Sequence, residues 1–248
     1  MEEELRETLK PLYAELLPLI STEHKVCPFC LQWGHDFPKG KNTGILFVGK
    51  ATNDWGSDSR DIEVIFGNAP ERKFAKEDQM VWVENRMTLS YVKLNGGYNA
   101  RRSAFWRLIK NLTQSIYKND PWYSKIAWSN LYKVNPRGGN PNAKLKSDQI
   151  VVCKKILSKE IEVLSPKFVV FLTSDWESEF IKNLNHNEEI KWIYSKKWGI
   201  KDDETKVFQI NGTYFICSKH PQGKNEYNHL KAIIDIIDKY STSFANET

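Results

Sequence analysis

Gly44-Ile-Leu-Phe-Val-Gly49 is a short apolar run bounded by glycines. An apolar run this short, with no polar alternation, reads as a strand buried on both faces. Strands of that kind belong to parallel sheets covered by helices. The run has counterparts along the chain. Ile126-Ala-Trp-Ser-Asn-Leu-Tyr-Lys-Val134 reads as a second strand, stopped by the loop signal Asn135-Pro-Arg-Gly-Gly-Asn-Pro141. Lys167-Phe-Val-Val-Phe-Leu172 is a third. Residues 207–211 and 213–218 read either as a hairpin across Gly212 or, for the second segment, as the last core strand alone.

Helical stripes separate these runs. Residues 2–20 carry Leu5, Leu9, Leu12, Leu16 and Ile20, with Pro11 and Pro18 expected to kink or split the helix. A loop is expected over 21–44 and a helix over 76–86. Ser103 caps a helix with Phe105, Leu108, Ile109 and Leu112 on one face. Ser147 begins another with Ile150, Cys153, Leu157, Ile161 and Leu164 buried, a further helix starts near Ser174, and an amphipathic helix covers 227–240. Strands alternating with helices predict a three-layer α/β/α fold around a central, mainly parallel four-stranded sheet. The length of 248 residues suits one domain over 1–248, with 1–25 as an N-terminal helical extension.

Ligands of such sheets bind outside the carboxyl ends of the strands. That rule selects residues 50–56, 130–139, 173–176 and 219–227. Their polar groups include Asn53, Asp54, Asn130 and His220. Taken singly, Asn130 also reads as a paired core amide and His220 as a loop histidine. No phosphate-binding glycine motif, dinucleotide fingerprint or serine-hydrolase signature is present.

Composition narrows the classes. Hydrophobic residues make up 40% and charged residues 27%, as in a globular protein. The net charge of +5 is compatible with a polyanionic partner without specifying one. The acidic start lacks a secretory signal, and no apolar run spans a bilayer, so a cytoplasmic location and no membrane partner are expected. In that compartment the four cysteines do not imply disulfides.

The order of the loop motifs resembles the uracil-DNA glycosylase superfamily. Gly49-Lys-Ala-Thr-Asn-Asp-Trp55 stands where that family carries its water-activating motif, and His220-Pro221 is similar to its second, His-Pro-Ser motif. Asn130-Leu-Tyr-Lys-Val-Asn-Pro-Arg137, then a helix, then Leu164-Ser-Pro-Lys-Phe-Val-Val-Phe-Leu172, resembles the iron–sulfur branch. The resemblance covers roughly residues 26–240, apart from 57–100 and 180–206.

It implies hydrolysis of the N-glycosidic bond of uracil or a related damaged base in single- or double-stranded DNA, by a monomer acting in DNA repair. The alternative is a non-catalytic relative that binds nucleic acid or a nucleobase on the same fold. Asn53, Asp54 and His220 take the catalytic places. Gly49, Lys50, Ala51, Trp55 and Asn130 line the substrate, with Trp55, Phe66 and Tyr98 as the flat rings available to stack on the base. Lys219, Gln222, Lys224 and Tyr227 face DNA. The motif departs from the pattern at Lys50, Ala51 and Thr52, where a proline is usual at the last, and at Gln222, where a serine is usual. Three of the four cluster cysteines have counterparts, Cys27, Cys30 and, in the fourth place, Cys153, while Val134 stands in the third place. A cubane needs four thiolates, so no intact iron–sulfur cluster and no cofactor is expected. A zinc ion on Cys27 and Cys30 with His24 or His35 is the other arrangement these residues leave open.

Overall fold

The computed structural model describes residues 1–21, 25–52, 55, 58–67, 74–75, 80–89, 98–118, 120–136, 138–200 and 203–241. Along the chain the elements are α1 (Glu2–Leu16), β1 (Val26–Pro28), β2 (Gln32–Trp33), β3 (Ile45–Gly49), α2 (Ile62–Phe66) and α3 (Val81–Thr88). Next come α4 (Ala104–Ile116), β4 (Ile126–Asn130), β5 (Val134–Pro136), α5 (Ala143–Leu164), β6 (Phe168–Leu172) and α6 (Ser178–Leu184). The chain ends with β7 (Tyr194–Lys197), β8 (Glu204–Ile210), β9 (Thr213–Ser218) and α7 (Glu226–Ser241).

The four expected strands lie side by side as β4-β3-β6-β9, all parallel. Every residue of these four strands is buried, which is why they read as largely apolar runs. Helices cover both faces. On one side Leu46, Val48, Val169 and Phe171 share a core with α1, α5 and α6. On the other Phe47, Trp128, Val170 and Ile216 pack with α4 and α7. These are the three layers expected.

The sheet is wider than four strands and mixed. Antiparallel β2 joins β4 at one edge, and antiparallel β8 and β7 extend it beyond β9. The alternative left open for residues 207–218 resolves as both at once: β9 is the last parallel strand and also half of a hairpin with β8. Asn211 and Gly212 make the turn with φ of 50° and 86°, the left-handed pair that a two-residue hairpin requires.

Other boundaries differ for local reasons. The second strand ends at Asn130. Leu131 N–H and Tyr132 N–H then bond to the Gly49 and Lys50 carbonyls, and the chain turns away to pair β5 with β1. The segment expected as a loop over 21–44 thus contains β1 and β2. Helix α5 starts one turn before Ser147 because the Asn142 side chain accepts the Leu145 N–H at 2.9 Å. Pro11 does not split α1: it sits on the exposed side, leaving Leu5, Leu9, Tyr13 and Leu16 to pack. Among the described residues no helix is long and apolar enough to cross a membrane.

Candidate active site

The carboxyl ends of β3 and β4 meet at Gly49 and Asn130, which are register partners. A Cβ on Gly49 would lie 2.5 Å from Asn130 Oδ1 and 3.4 Å from the Phe105 ring. Only a hydrogen there lets the carboxamide and the ring close over the strand end. Asn130 is 1% exposed, and its Nδ2 has no partner among the described residues. A buried donor left unmade costs about 1–3 kcal/mol, so this amide is arranged for something other than packing. Gly49→Ala is expected to force the carboxamide or Phe105 aside at about 1–3 kcal/mol, lowering the thermal midpoint by roughly 2–10 °C. An unchanged midpoint in differential scanning calorimetry would show that the carboxamide is free to swing.

His220 follows β9 and faces the same ring. Its imidazole lies nearly parallel to Phe105, with centroids 6.3 Å apart and planes 17° apart. Its backbone N–H donates to Ser174 Oγ at 2.7 Å. The Gln222 N–H donates to Nδ1 at 3.2 Å, so the neutral ring carries its proton on Nε2. Burial first, and then the charge of Lys50, holds the imidazole pKa down to about 4. The ring is therefore a neutral N–H donor at physiological pH.

The flanking chain is braced. Lys219 is held by Asp175 at 2.7 Å and Lys224 by Asp203 at 2.6 Å. Glu226 accepts from Arg107 Nε at 3.0 Å, tying the start of α7 to α4. Below the loop Ser218 Oγ bonds His229 Nε2 at 2.8 Å, and Trp198 stacks on that imidazole at 4.3 Å. The loop after β3 is braced from another direction. With its carboxamide turned to satisfy both groups, Asn135 accepts from the Thr52 hydroxyl at 2.9 Å and from the Thr52 N–H at 3.2 Å. A proline at position 52 would lack that N–H.

The structure thus brings Gly49, Lys50, Asn130 and His220 together. Ala51 is half-buried in the same loop. Asn53 and Asp54 lie outside the described residues, as does His24. The three rings named as stacking groups are placed elsewhere. Trp55 is buried among Phe29, Trp82 and Trp128, anchoring its loop in the core. Phe66 packs on Phe74 and Tyr13 on the opposite side of the sheet. Tyr98 is half-exposed beside Ser103 and Trp106. The ring at Asn130 and His220 is Phe105, which the sequence presents as one more member of a helical stripe. Of the residues assigned to DNA, Gln222 is exposed and Tyr227, in the first turn of α7, is 71% exposed.

The cysteines do not form a ligand set. Cys30 and Cys153 belong to one core and Cys27 to the other. Cys153 Sγ donates to Gln149 Oε1 at 3.3 Å, and burial pushes its thiol up to about 12. Gln149 also accepts the Lys133 and Val134 N–H groups at 3.1 and 2.9 Å. The Tyr13 hydroxyl enters beside Cys30 and bonds the Phe29 carbonyl. A thiol turned onto the Gln149 carbonyl oxygen, Cys27 in the opposite core and an intruding phenol do not fit a four-thiolate cluster. His35 pairs with Asp36 at the surface. Among the described residues no group of three or more His, Cys, Asp and Glu is placed to hold a metal ion.

Comparison with known sequences adds one result. No curated protein matches the chain. The family model of the uracil DNA glycosylase superfamily matches residues 38–238. That span opens before β3 and closes within α7. It holds all four parallel strands and both loops that meet at Phe105, so the chain belongs to the uracil DNA glycosylase superfamily.

Proposed function

We propose that the chain hydrolyses the N-glycosidic bond of uracil, or of a related damaged base, in DNA. Membership of the superfamily supports a DNA glycosylase-like role. The observation that carries the particular reaction is the pairing of a buried, unpartnered Asn130 amide with a neutral His220 across the Phe105 ring.

A base inside a duplex is out of reach, so the target nucleotide is flipped into the pocket or taken from a single strand. Phe105 offers its face to the flat base. The Asn130 carboxamide offers a donor and an acceptor to the Watson–Crick edge, a pair that suits uracil and meets cytosine with its polarity reversed. As the C1′–N1 bond breaks, the bonding electrons leave on the uracil ring. The Nε2–H of His220 donates to the oxygen where that charge collects. A water adds to C1′, positioned by Asp54 or Asn53, and its proton ends on Asp54 or on the departing uracil anion. Gln222 and Tyr227 face the strand, Tyr227 filling the gap left by the flipped base.

A labelled oligonucleotide with a single uracil tests this directly. Alkali-sensitive sites are expected at the uracil, and Asn130→Ala is expected to weaken binding of that substrate by about 10-fold or more and to blur the choice between uracil and cytosine, since two hydrogen bonds to the base are lost. Binding without base release would instead favour the non-catalytic reading. Thr52, in the place of the usual proline and with its N–H committed to Asn135, supports that second reading.

A further inference from the structure

Four lysines surround the pocket, and they are held in two different ways. Lys219 and Lys224 are neutralised by Asp175 and Asp203. Lys50 and Lys146 are not. Both ammonium groups lie over the indole of Trp176, at 4.8 and 3.3 Å from its centroid. An aromatic face holds a cation by its quadrupole and leaves the charge uncancelled. Neither lysine has a carboxylate within ion-pairing distance among the described residues. Glu177 is engaged by the Thr173 hydroxyl and Asp175 by Lys219.

The two ammonium groups also work against each other. Burial and then Lys146 lower the Lys50 pKa, partly offset by the carboxylates of Glu177 and Asp175, and burial lowers that of Lys146. Two cations drawn onto one indole, neither in ion-pair contact with a carboxylate among the described residues, are an arrangement that a bound anion would relieve. Lys146 stands in the first turn of α5, which has no acidic residue there, so the amide end of that helix adds to the positive field. Lys50 lies next to Gly49 and close enough to His220 to depress its pKa. The cationic pair is thus at the rim of the base pocket.

We propose that Lys50 and Lys146, gathered on Trp176, bind a backbone phosphate of the DNA strand that delivers the base to the Asn130 pocket. The proposal rests on the reading of that pocket as a nucleobase site. The phosphate is a diester within the strand, flanking the flipped nucleotide. The carboxylate-bound Lys219 and Lys224 are braces for the His220 loop and contribute less to the strand.

The test uses the full chain and a single-stranded oligonucleotide containing thymine and no uracil, so that base release plays no part. Affinity is measured by fluorescence anisotropy across a salt series. Each of Lys50→Gln and Lys146→Gln is expected to flatten the slope of log affinity against log salt by about 0.7, the value for one phosphate contact on a single strand. Lys155→Gln, which removes an exposed lysine paired with Glu15 on another face, is expected to leave the slope unchanged. Unchanged slopes in both pocket-rim variants, with circular dichroism intact, would overturn the proposal, as would absence of oligonucleotide binding by the wild type. Inorganic phosphate is run as competitor. Displacement by it at concentrations comparable to the oligonucleotide would overturn the strand as source and make the ligand a free phosphate compound. Flattened slopes in a protein that releases no uracil would retain the phosphate site and refute the hydrolysis alone.

Discussion

His220→Ala is expected to slow uracil release by about 10²–10³-fold, the usual consequence of removing one donor aimed at developing charge, while changing affinity for uncleaved substrate little. The argument starts from the tautomer. Gln222 N–H occupies Nδ1, so the donor is Nε2–H. The ring is half-buried beside Lys50, and its pKa is held to about 4. A donor that is neutral before and during reaction gains most where negative charge accumulates, which is the transition state and not the bound substrate. The pH dependence follows. An ordinary histidine gives an acid limb near pH 6.5; the limb owed to His220 is expected near pH 4 instead. Below about 6.5 the unfolded chain takes up protons at positions 220 and 229 that the folded chain refuses, because burial depresses both imidazoles to about 4. Stability is therefore present in full above 6.5 and is lost as pH falls toward 4. Single-turnover cleavage by wild type and His220→Ala between pH 4 and 8, with affinity measured in parallel, checks both points. An equal loss in affinity and rate would make His220 a binding residue, and a limb at 6.5 would place it in water.

The parts of the fold that were legible are those written in local pattern. The four parallel strands are buried on both faces, so their apolar runs stand out, and the glycine at position 49 ends the first of them. Strands of two or three residues leave no such trace: β1 and β2 exist because β5 and β4 offer them a partner far along the chain. The edge strand β7 alternates half-buried and exposed positions, its neighbour β8 mixes buried, half-buried and exposed ones, and only the Asn211-Gly212 turn betrays the pair in a polar stretch. The meeting of Gly49, Asn130 and His220 at one sheet edge was legible because strand ends are where such sheets bind ligands. Phe105 was hidden by its own periodicity. In a crossover connection the helix begins at the carboxyl edge of the sheet, so the first ring of its buried stripe overlooks the pocket. That position was available as a signal. The ion pairs of Lys219 and Lys224 were not, since their partners Asp175 and Asp203 are remote in sequence and nothing local marks them as paired.

Glu160→Gln is expected to destabilise the protein by about 3–5 kcal/mol, the cost of leaving a buried charge without its partner. Lys133 and Glu160 are both 0% exposed, and Lys133 Nζ donates to the two carboxylate oxygens at 2.9 and 2.8 Å. Ser129 completes the group, donating to Glu160 Oε2 at 2.6 Å and accepting from Lys133 Nζ at 2.6 Å. The amide substitution leaves the ammonium in the core facing a neutral group. Denaturant titration is expected to show a lower midpoint with an unchanged slope, and a thermal midpoint lower by roughly 10 °C. The paired replacement Lys133→Met with Glu160→Leu removes both charges and is expected to recover most of the loss, since an apolar pair of similar volume is often no less stable than a buried ion pair. A Glu160→Gln protein as stable as wild type would show that the ammonium escapes to water. The pair bears on function through Ser129. That residue precedes Asn130 on β4 and points to the opposite face of the strand. The ion pair therefore clamps β4 to α5 directly behind the carboxamide of the pocket. Glu160→Gln should accordingly weaken discrimination between uracil and cytosine even at temperatures where the protein remains folded, and the paired apolar replacement should restore it.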